Sequence, residues 1–238
     1  MPKLYLNRLG MSRTKKELLL RLYLSSFRMG DAFETLLAMI GPEAKVAIIS
    51  NAVDFIPVVE REAYVRAVFD PAAVFTDQGL AAFDLDLRDY FARPDALDLV
   101  LADVSLVWAV GGNSFLLRRA FAQSGLDQIL KRRLAEDSLV YGGWSAGAVV
   151  AGSTLRGIEL MDQPDVVVAG YDPEPVWDGL GLVDYAIIPH FASDHPESAD
   201  AARCAAYCSE SGIAFRTLRD GEVIIIGAKL SCSDQTVP

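Results

Sequence analysis

The sequence predicts an α/β fold, with a mostly parallel sheet and helices on both faces. Short apolar runs alternate with amphipathic segments along the chain, which is the pattern of a parallel sheet covered by helices. The run Lys45–Ser50 is almost continuously apolar, as in a strand that is buried on both faces. The chain has 238 residues, of which 52% are hydrophobic, and no linker-like run divides it. We therefore expect a single domain over residues 18–238.

The first half of the chain begins with an apolar run that predicts a strand at Leu18–Ser25. A helix is expected from Gly30 to Ile40, because Gly41-Pro42 is typical of a helix end. The same reasoning predicts strands at Lys45–Ser50, Ala73–Phe75 and Ser105–Val110, and helices at Pro57–Phe69, Asp84–Phe91 and Asp95–Asp103.

The second half continues the alternation. It predicts helices at Ser114–Ala122, Leu126–Leu134 and Pro196–Cys208, and strands at Ser138–Tyr141 and Tyr185–Ile188. Near its end, the turn Arg219-Asp220-Gly221 lies between the apolar runs Ala214–Leu218 and Glu222–Ile226, which indicates a hairpin.

The N-terminus is basic and then apolar, which superficially resembles a signal peptide. Arg21 interrupts the short apolar run, however, and no small-residue cleavage site follows it. We expect residues 1–17 to be a disordered extension. No stretch approaches the ~20 apolar residues that a membrane span requires, so we expect no membrane partner.

Charge and cysteine content exclude several function classes. A formal net charge of −10 argues against nucleic acid and against anionic membranes. The three cysteines, Cys204, Cys208 and Cys232, fit a reduced cytoplasm and a structural role. Neither histidine is spaced for a zinc site with them, and no glycines match a dinucleotide motif. We therefore expect a cytoplasmic protein without metal or cofactor.

The segment Tyr141–Ala151 carries the most informative motif. An apolar run leads into Gly143-Trp144-Ser145-Ala146-Gly147, and small apolar residues follow. A G-x-S-x-G sequence between a strand and a helix is typical of a nucleophile elbow, where the glycines permit a tight turn and the serine projects from it. Ser145 is therefore a candidate nucleophile.

A serine nucleophile needs a base, and a third group must orient that base. Of the two histidines, His190 follows a predicted strand directly, whereas His195 lies in a turn and is expected to face solvent. Glu159 and Asp162 are the candidate acids between Ser145 and His190. Glu159 is slightly favoured, because a carboxylate inside an apolar run needs a partner.

A third strand end supplies glycines. Gly111-Gly112 follows the predicted strand Ser105–Val110, and backbone there can approach a ligand closely. The N–H groups of Gly112 and Ala146 would together form an oxyanion hole, which is worth roughly 3–4 kcal/mol per donor. Carboxyl ends of parallel strands share one edge of a sheet, so these residues can meet Ser145 and His190 there.

Taken together, these motifs resemble the peptidase E and cyanophycinase family of serine peptidases, over about residues 18–227. The matching segments are Gly111–Leu117, Gly143–Ala148 and Pro189–Phe191. The resemblance implies a fold like that of class I glutamine amidotransferases, with serine at the elbow.

The resemblance also implies roles and a substrate. It makes Ser145 the nucleophile, His190 the base, and Gly112 with Ala146 the oxyanion donors. Asp162-Gln163-Pro164 resembles the local motif of the family's acid but needs a short insertion, whereas Glu159 needs almost none, so both acids stay open.

The implied substrate is a small peptide, a dipeptide with N-terminal aspartate, which needs a cation for its side chain. Arg118, Arg156 and Arg203 are candidate cations. Two alternatives remain: an esterase of the α/β-hydrolase type, and a non-catalytic small-ligand-binding homologue. Whether the chain forms a homo-oligomer is also open.

Overall fold

A computed structural model describes residues 20–227, and its centre is a six-stranded sheet. The expected extension at residues 1–17 lies outside the described residues. The strands are β1 Leu22–Ser25, β2 Lys45–Ile49, β3 Ala81–Asp84, β4 Leu106–Ala109, β5 Val140–Trp144, β6 Ala186–Ile188, β7 Phe215–Thr217 and β8 Val223–Ile226. The helices are α1 Phe33–Ile40, α2 Val58–Ala67, α3 Pro71–Thr76, α4 Pro94–Val100, α5 Ser114–Ser124, α6 Leu126–Ala135, α7 Ala146–Val149 and α8 Ser198–Glu210.

The main sheet has the strand order β3-β2-β4-β5-β1-β8. All of its neighbours pair in parallel except β8, which runs antiparallel to β1 at the edge. Strands β6 and β7 form a separate, two-stranded parallel sheet. The predicted α/β class and the mostly parallel sheet are therefore confirmed.

Both faces of the main sheet are covered, as the run of consecutive apolar residues predicts. In β1, Leu22 and Leu24 belong to one apolar cluster, whereas Tyr23 between them belongs to the other. Side chains of a strand alternate between faces, so the two clusters lie on opposite sides of the sheet. Helices α5 and α6 cover the first side, and α1 covers the second.

One predicted strand is a helix. Residues 73–75, which the apolar pattern assigned to a strand, lie in α3. The side chain of Asp70 accepts hydrogen bonds from the N–H groups of Ala72 and Ala73, and Pro71 occupies the first turn. An N-cap followed by proline starts a helix strongly enough to outweigh a three-residue apolar run. The strand next along the chain, β3, was missed because it is short and partly exposed.

The predicted hairpin near the C-terminus is also wrong. Its two apolar runs enter different sheets: β7 pairs with β6, and β8 pairs with β1. The segment Arg219-Asp220-Gly221 therefore connects the small sheet to the large one. Within residues 20–227, no helix is long and apolar enough to cross a membrane.

Candidate active site

Ser145 stands in a strained turn between β5 and α7. Its backbone angles are φ 50° and ψ −115°, in a region that non-glycine residues rarely adopt. The N–H group of Ser145 donates to the carbonyl oxygens of Ser25 and Ser26, both at 3.1 Å, at the end of β1. Such strain persists only where surrounding contacts impose it, and it is common at functional sites.

The glycines of the elbow are required by close packing against β4. A Cβ on Gly147 would lie 2.2 Å from the carbonyl oxygen of Ala109, and one on Gly143 would lie 2.7 Å from the same atom. Any larger residue would push α7 away from the sheet. The structure therefore gives these glycines a packing role against β4, which goes beyond the predicted tight turn.

The Gly111–Gly112 turn lies directly against the serine. A Cβ on Gly111 would lie 2.8 Å from the Trp144 ring and 3.1 Å from the Cβ of Ser145. Gly112 has φ 136°, and a Cβ there would lie 2.6 Å from the carbonyl oxygen of Ala52. Gly111 and Ser145 are therefore in close contact, and Gly112 and Ala146 are the residues that follow them in the chain.

His190 follows β6 and has only 2% of its side chain exposed. Its Nδ1 lies 2.7 Å from Oδ1 of Asp220, and its backbone N–H donates to Oγ of Ser26 at 2.8 Å. A carboxylate at Nδ1 favours the tautomer with hydrogen on that nitrogen, which leaves the Nε2 lone pair free to accept a proton.

Ser26 connects the serine with the histidine. Its carbonyl oxygen accepts from the N–H of Ser145, and its hydroxyl accepts from the N–H of His190 while donating to Oδ1 of Asp220 at 2.8 Å. Asp220 is itself fixed, because its N–H donates to Oγ of Ser193. Ser26, at the end of β1, therefore connects the turn of Ser145 on the main sheet with His190 and Asp220 beside the small sheet.

The two predicted acids lie elsewhere. Oδ2 of Asp162 accepts from the N–H of Ser114 at 2.8 Å, at the start of α5. Oε2 of Glu159 accepts from the N–H of Gly157 in its own turn. The structure brings neither to His190. The sequence does not mark Asp220 as an acid of the site, because its turn resembles that of a hairpin. One signal is present: Asp220 follows the apolar run Ala214–Leu218, just as His190 follows its own strand.

His195, which was expected to face solvent, is instead partly buried against the base. Its ring stacks on that of His190 with centroids 3.7 Å apart and planes inclined by 8°. Its Nδ1 accepts from the N–H of Glu197 at 3.2 Å. The potential ligand atoms of these three residues lie within 4.8 Å of one another. A metal bound there would occupy His190, the candidate base.

Burial sets the protonation of the site. Burial lowers the pKa of His190, Asp220 opposes this shift, and His195 adds to it. A lowered pKa keeps the imidazole neutral at pH 7, as a base requires. Burial also raises the pKa of Asp162 to about 6, against the hydrogen bonds from Ser114. Glu197, whose Oε2 lies 3.8 Å from Nε2 of His190, has a raised pKa mainly through burial.

A cavity of about 920 Å³ opens beside the glycine turn. Gly111, Gly112 and Trp144 form one wall, and Arg61 and Arg88 lie among the other lining residues. Both arginines already have acidic partners. Arg61 lies 2.9 Å from Asp54 and Arg88 lies 3.4 Å from it, and Arg88 also binds Asp86.

None of the three arginines predicted to bind an acidic substrate lines this cavity. Arg118 donates to the carbonyl oxygen of Asp178 at 2.9 Å and pairs with Asp127. Arg156 lies over the Trp177 ring, and Arg203 pairs with Asp200 on α8. Their charges are therefore used in structural contacts.

Comparisons with known proteins point to one family of peptidases. The model of peptidase family S51 matches residues 22–230. An uncharacterised peptidase of Pasteurella multocida is 26% identical over 73% of this chain and 78% of its own. Peptidase E of Streptomyces coelicolor is 30% identical over 70% of this chain and 68% of its own.

A crystal structure from Listeria monocytogenes EGD-e, of a candidate peptidase E, has a TM-score of 0.69 with this chain. The two are 22% identical, and the match covers 88% of this chain and 95% of the other. This similarity supports the fold, with the six-stranded sheet at its centre.

Proposed function

The chain belongs to peptidase family S51 and is a serine-type peptidase, and we propose that it hydrolyses small peptides through Ser145, His190 and Asp220. The preferred substrates would be dipeptides with N-terminal aspartate. One observation carries the proposal. His190 has its Nδ1 on a carboxylate, and Ser26 ties both groups to the strained serine turn.

The proposed reaction begins with attack of Ser145 Oγ on the scissile carbonyl carbon. His190 Nε2 takes the hydroxyl proton, and Asp220 stabilises the imidazolium through Nδ1–H. Negative charge that develops on the carbonyl oxygen would be met by the N–H groups of Gly112 and Ala146. Burial favours this arrangement, since electrostatic interactions are stronger where water is excluded.

Collapse of the tetrahedral intermediate then breaks the C–N bond. The proton on His190 Nε2 moves to the leaving amine, and an acyl-enzyme ester remains on Ser145. Water attacks this ester with His190 again as base, which releases the second product and restores the serine hydroxyl. No cofactor or metal is needed for either half of the reaction.

Asp220 replaces Glu159 and Asp162 as the proposed orienting acid. The reason is geometric: a group that fixes the tautomer of an imidazole must lie within hydrogen-bond distance of it, and Asp220 lies at 2.7 Å. Glu197, near Nε2 of His190, adds a negative charge beside the reacting bond. Such a charge suits the free ammonium group of a dipeptide.

A dipeptide panel with Ser145→Ala as the test variant checks the proposal. The variant should fold normally and lose nearly all hydrolysis of Asp-X dipeptides. Ser211→Ala, at the exposed end of α8, is the matched control and should keep wild-type turnover. Unchanged hydrolysis by the Ser145→Ala protein would refute the proposed nucleophile.

A further inference from the structure

Arg28 lies in the loop that follows β1, and two aromatic rings hold its guanidinium. The carbon Cζ lies 4.9 Å from the Phe27 ring centroid and 4.8 Å from that of Phe69. Cation–π contacts of this kind retain a positive charge away from bulk water. The residue has φ 48°, so its backbone is held in a conformation that costs free energy outside glycine.

This guanidinium has no acidic partner within residues 20–227. Its Nε is buried and lacks a hydrogen-bond acceptor. A buried donor without an acceptor is destabilising, and more so when it is charged. Arg61 and Arg88 of the same region differ from Arg28 in charge pairing, because Asp54 and Asp86 neutralise them, although the Nε of Arg61 also lacks an acceptor.

The aromatic rings place Arg28 beside the reacting groups. The Phe27 ring contacts Trp144 at 5.6 Å and His190 at 6.1 Å between centroids. The Phe69 ring also contacts Trp144, at 6.1 Å, and lines the 920 Å³ cavity. Trp144 directly precedes Ser145. Arg28 therefore lies beside Phe69 of the cavity wall and beside Phe27, whose ring contacts the base.

We propose that Arg28 binds a carboxylate of the peptide substrate and thereby determines specificity. The inference rests on the proposed function. With its Cζ over the rings of Phe27 and Phe69, the guanidinium can bind a ligand through its N–H groups, which match the two oxygens of a carboxylate. A bound carboxylate would give the buried Nε its missing acceptor.

A dipeptide offers two carboxylates that could meet this edge. One is the side chain of an N-terminal aspartate, and the other is the C-terminal carboxylate. Four ligands separate them: Asp-Ala, Asn-Ala, and the C-terminal amide of each. Replacing one carboxylate at a time by an amide keeps the size and removes the charge.

Binding of these four ligands is measured by calorimetry on Ser145→Ala protein, so that no ligand is consumed. Adding Arg28→Gln should weaken binding of ligands with the recognised carboxylate by about 10- to 100-fold, the usual range for a charge-assisted hydrogen bond. Ligands that carry the amide at that position should bind equally with and without the substitution. Arg156→Gln, which removes a guanidinium from the Trp177 ring, is the matched control and should change no affinity.

The outcomes separate the two claims. Equal affinities of the Arg28 and Arg28→Gln proteins for all four ligands would overturn the inference and leave Arg28 as a structural cation on two aromatic rings. Failure of all four ligands to bind would overturn it as well. Failure of the proposed function would appear differently, as dipeptide turnover that persists in the Ser145→Ala protein.

Discussion

The serine half and the histidine half of the site are held in different ways. The serine half belongs to the six-stranded sheet, and backbone packing fixes it: Gly143 and Gly147 press against Ala109. The histidine half lies at the small sheet, where side-chain hydrogen bonds join His190, Asp220 and Ser26. Steric substitutions should therefore damage the first half, and changes of charge should damage the second.

Asp220→Asn should have the largest effect on the histidine half. The amide cannot stabilise the imidazolium and favours the wrong tautomer, so kcat should fall by about four orders of magnitude, as in other triads. Steady-state kinetics with an Asp-X dipeptide measure this loss. Asp162→Asn is the matched control and should stay within a few-fold of wild type. Equal losses in both variants would contradict the distinction between the two carboxylates.

Gly112→Ala should have the largest effect on the serine half after Ser145 itself. A Cβ there meets the Ala52 carbonyl oxygen at 2.6 Å, and φ of 136° disfavours any side chain, so the turn must move. Displacement of one oxyanion donor costs about 10²–10³ in kcat. KM should change much less. An unchanged kcat would mean that the Gly112 N–H does not face the reacting oxygen.

The pH profile gives a smaller effect in the histidine half. The buried His190 has a pKa below its usual value of 6.5, so the acid limb of kcat/KM should have its midpoint below pH 6.5. Asp220→Asn removes a partner that raises this pKa, and its residual activity should show a midpoint at still lower pH. A wild-type midpoint above pH 6.5 would contradict the assignment of the base.

The smallest effect concerns stability rather than activity. Asp162 has its pKa raised from 3.8 to about 6 in the folded chain. Because the folded chain favours the neutral carboxyl, Asp162 stabilises the fold fully below about pH 4. This stabilisation is lost as pH rises past 6.

Urea unfolding measures that change against Asp162→Asn, which does not titrate. Between pH 4 and pH 7, wild type should lose about 2 kcal/mol of stability relative to the variant. A constant difference between the two proteins over this range would show that the Asp162 pKa is normal when folded.

The same contrast explains what the sequence could predict. Ser145 and its glycines form one local motif, because backbone approach within a single turn needs those residue types at fixed spacing. The class of the fold followed from apolar runs for a similar reason. Asp220 is different: its role depends on the small sheet, which brings a distant turn to His190. No local pattern distinguishes that turn from a hairpin.

No local sequence pattern marks Arg28 either. What distinguishes Arg28 within residues 20–227 is the contact of its guanidinium with both Phe27 and Phe69 and the absence of an acidic partner such as Arg118 and Arg203 have. Those are tertiary properties. The same holds for His195, whose stacking on His190 depends on how the turn after β6 folds back.

Peptide mapping after treatment with a fluorophosphonate tests the central claim most directly. This reagent phosphonylates an activated serine, so wild-type protein should carry one adduct, on Ser145. The His190→Ala and Asp220→Asn proteins should label far more slowly, while Asp162→Asn should label at the wild-type rate. An adduct on another serine, or labelling of Ser145 that does not depend on His190, would contradict a site assembled from the two sheets.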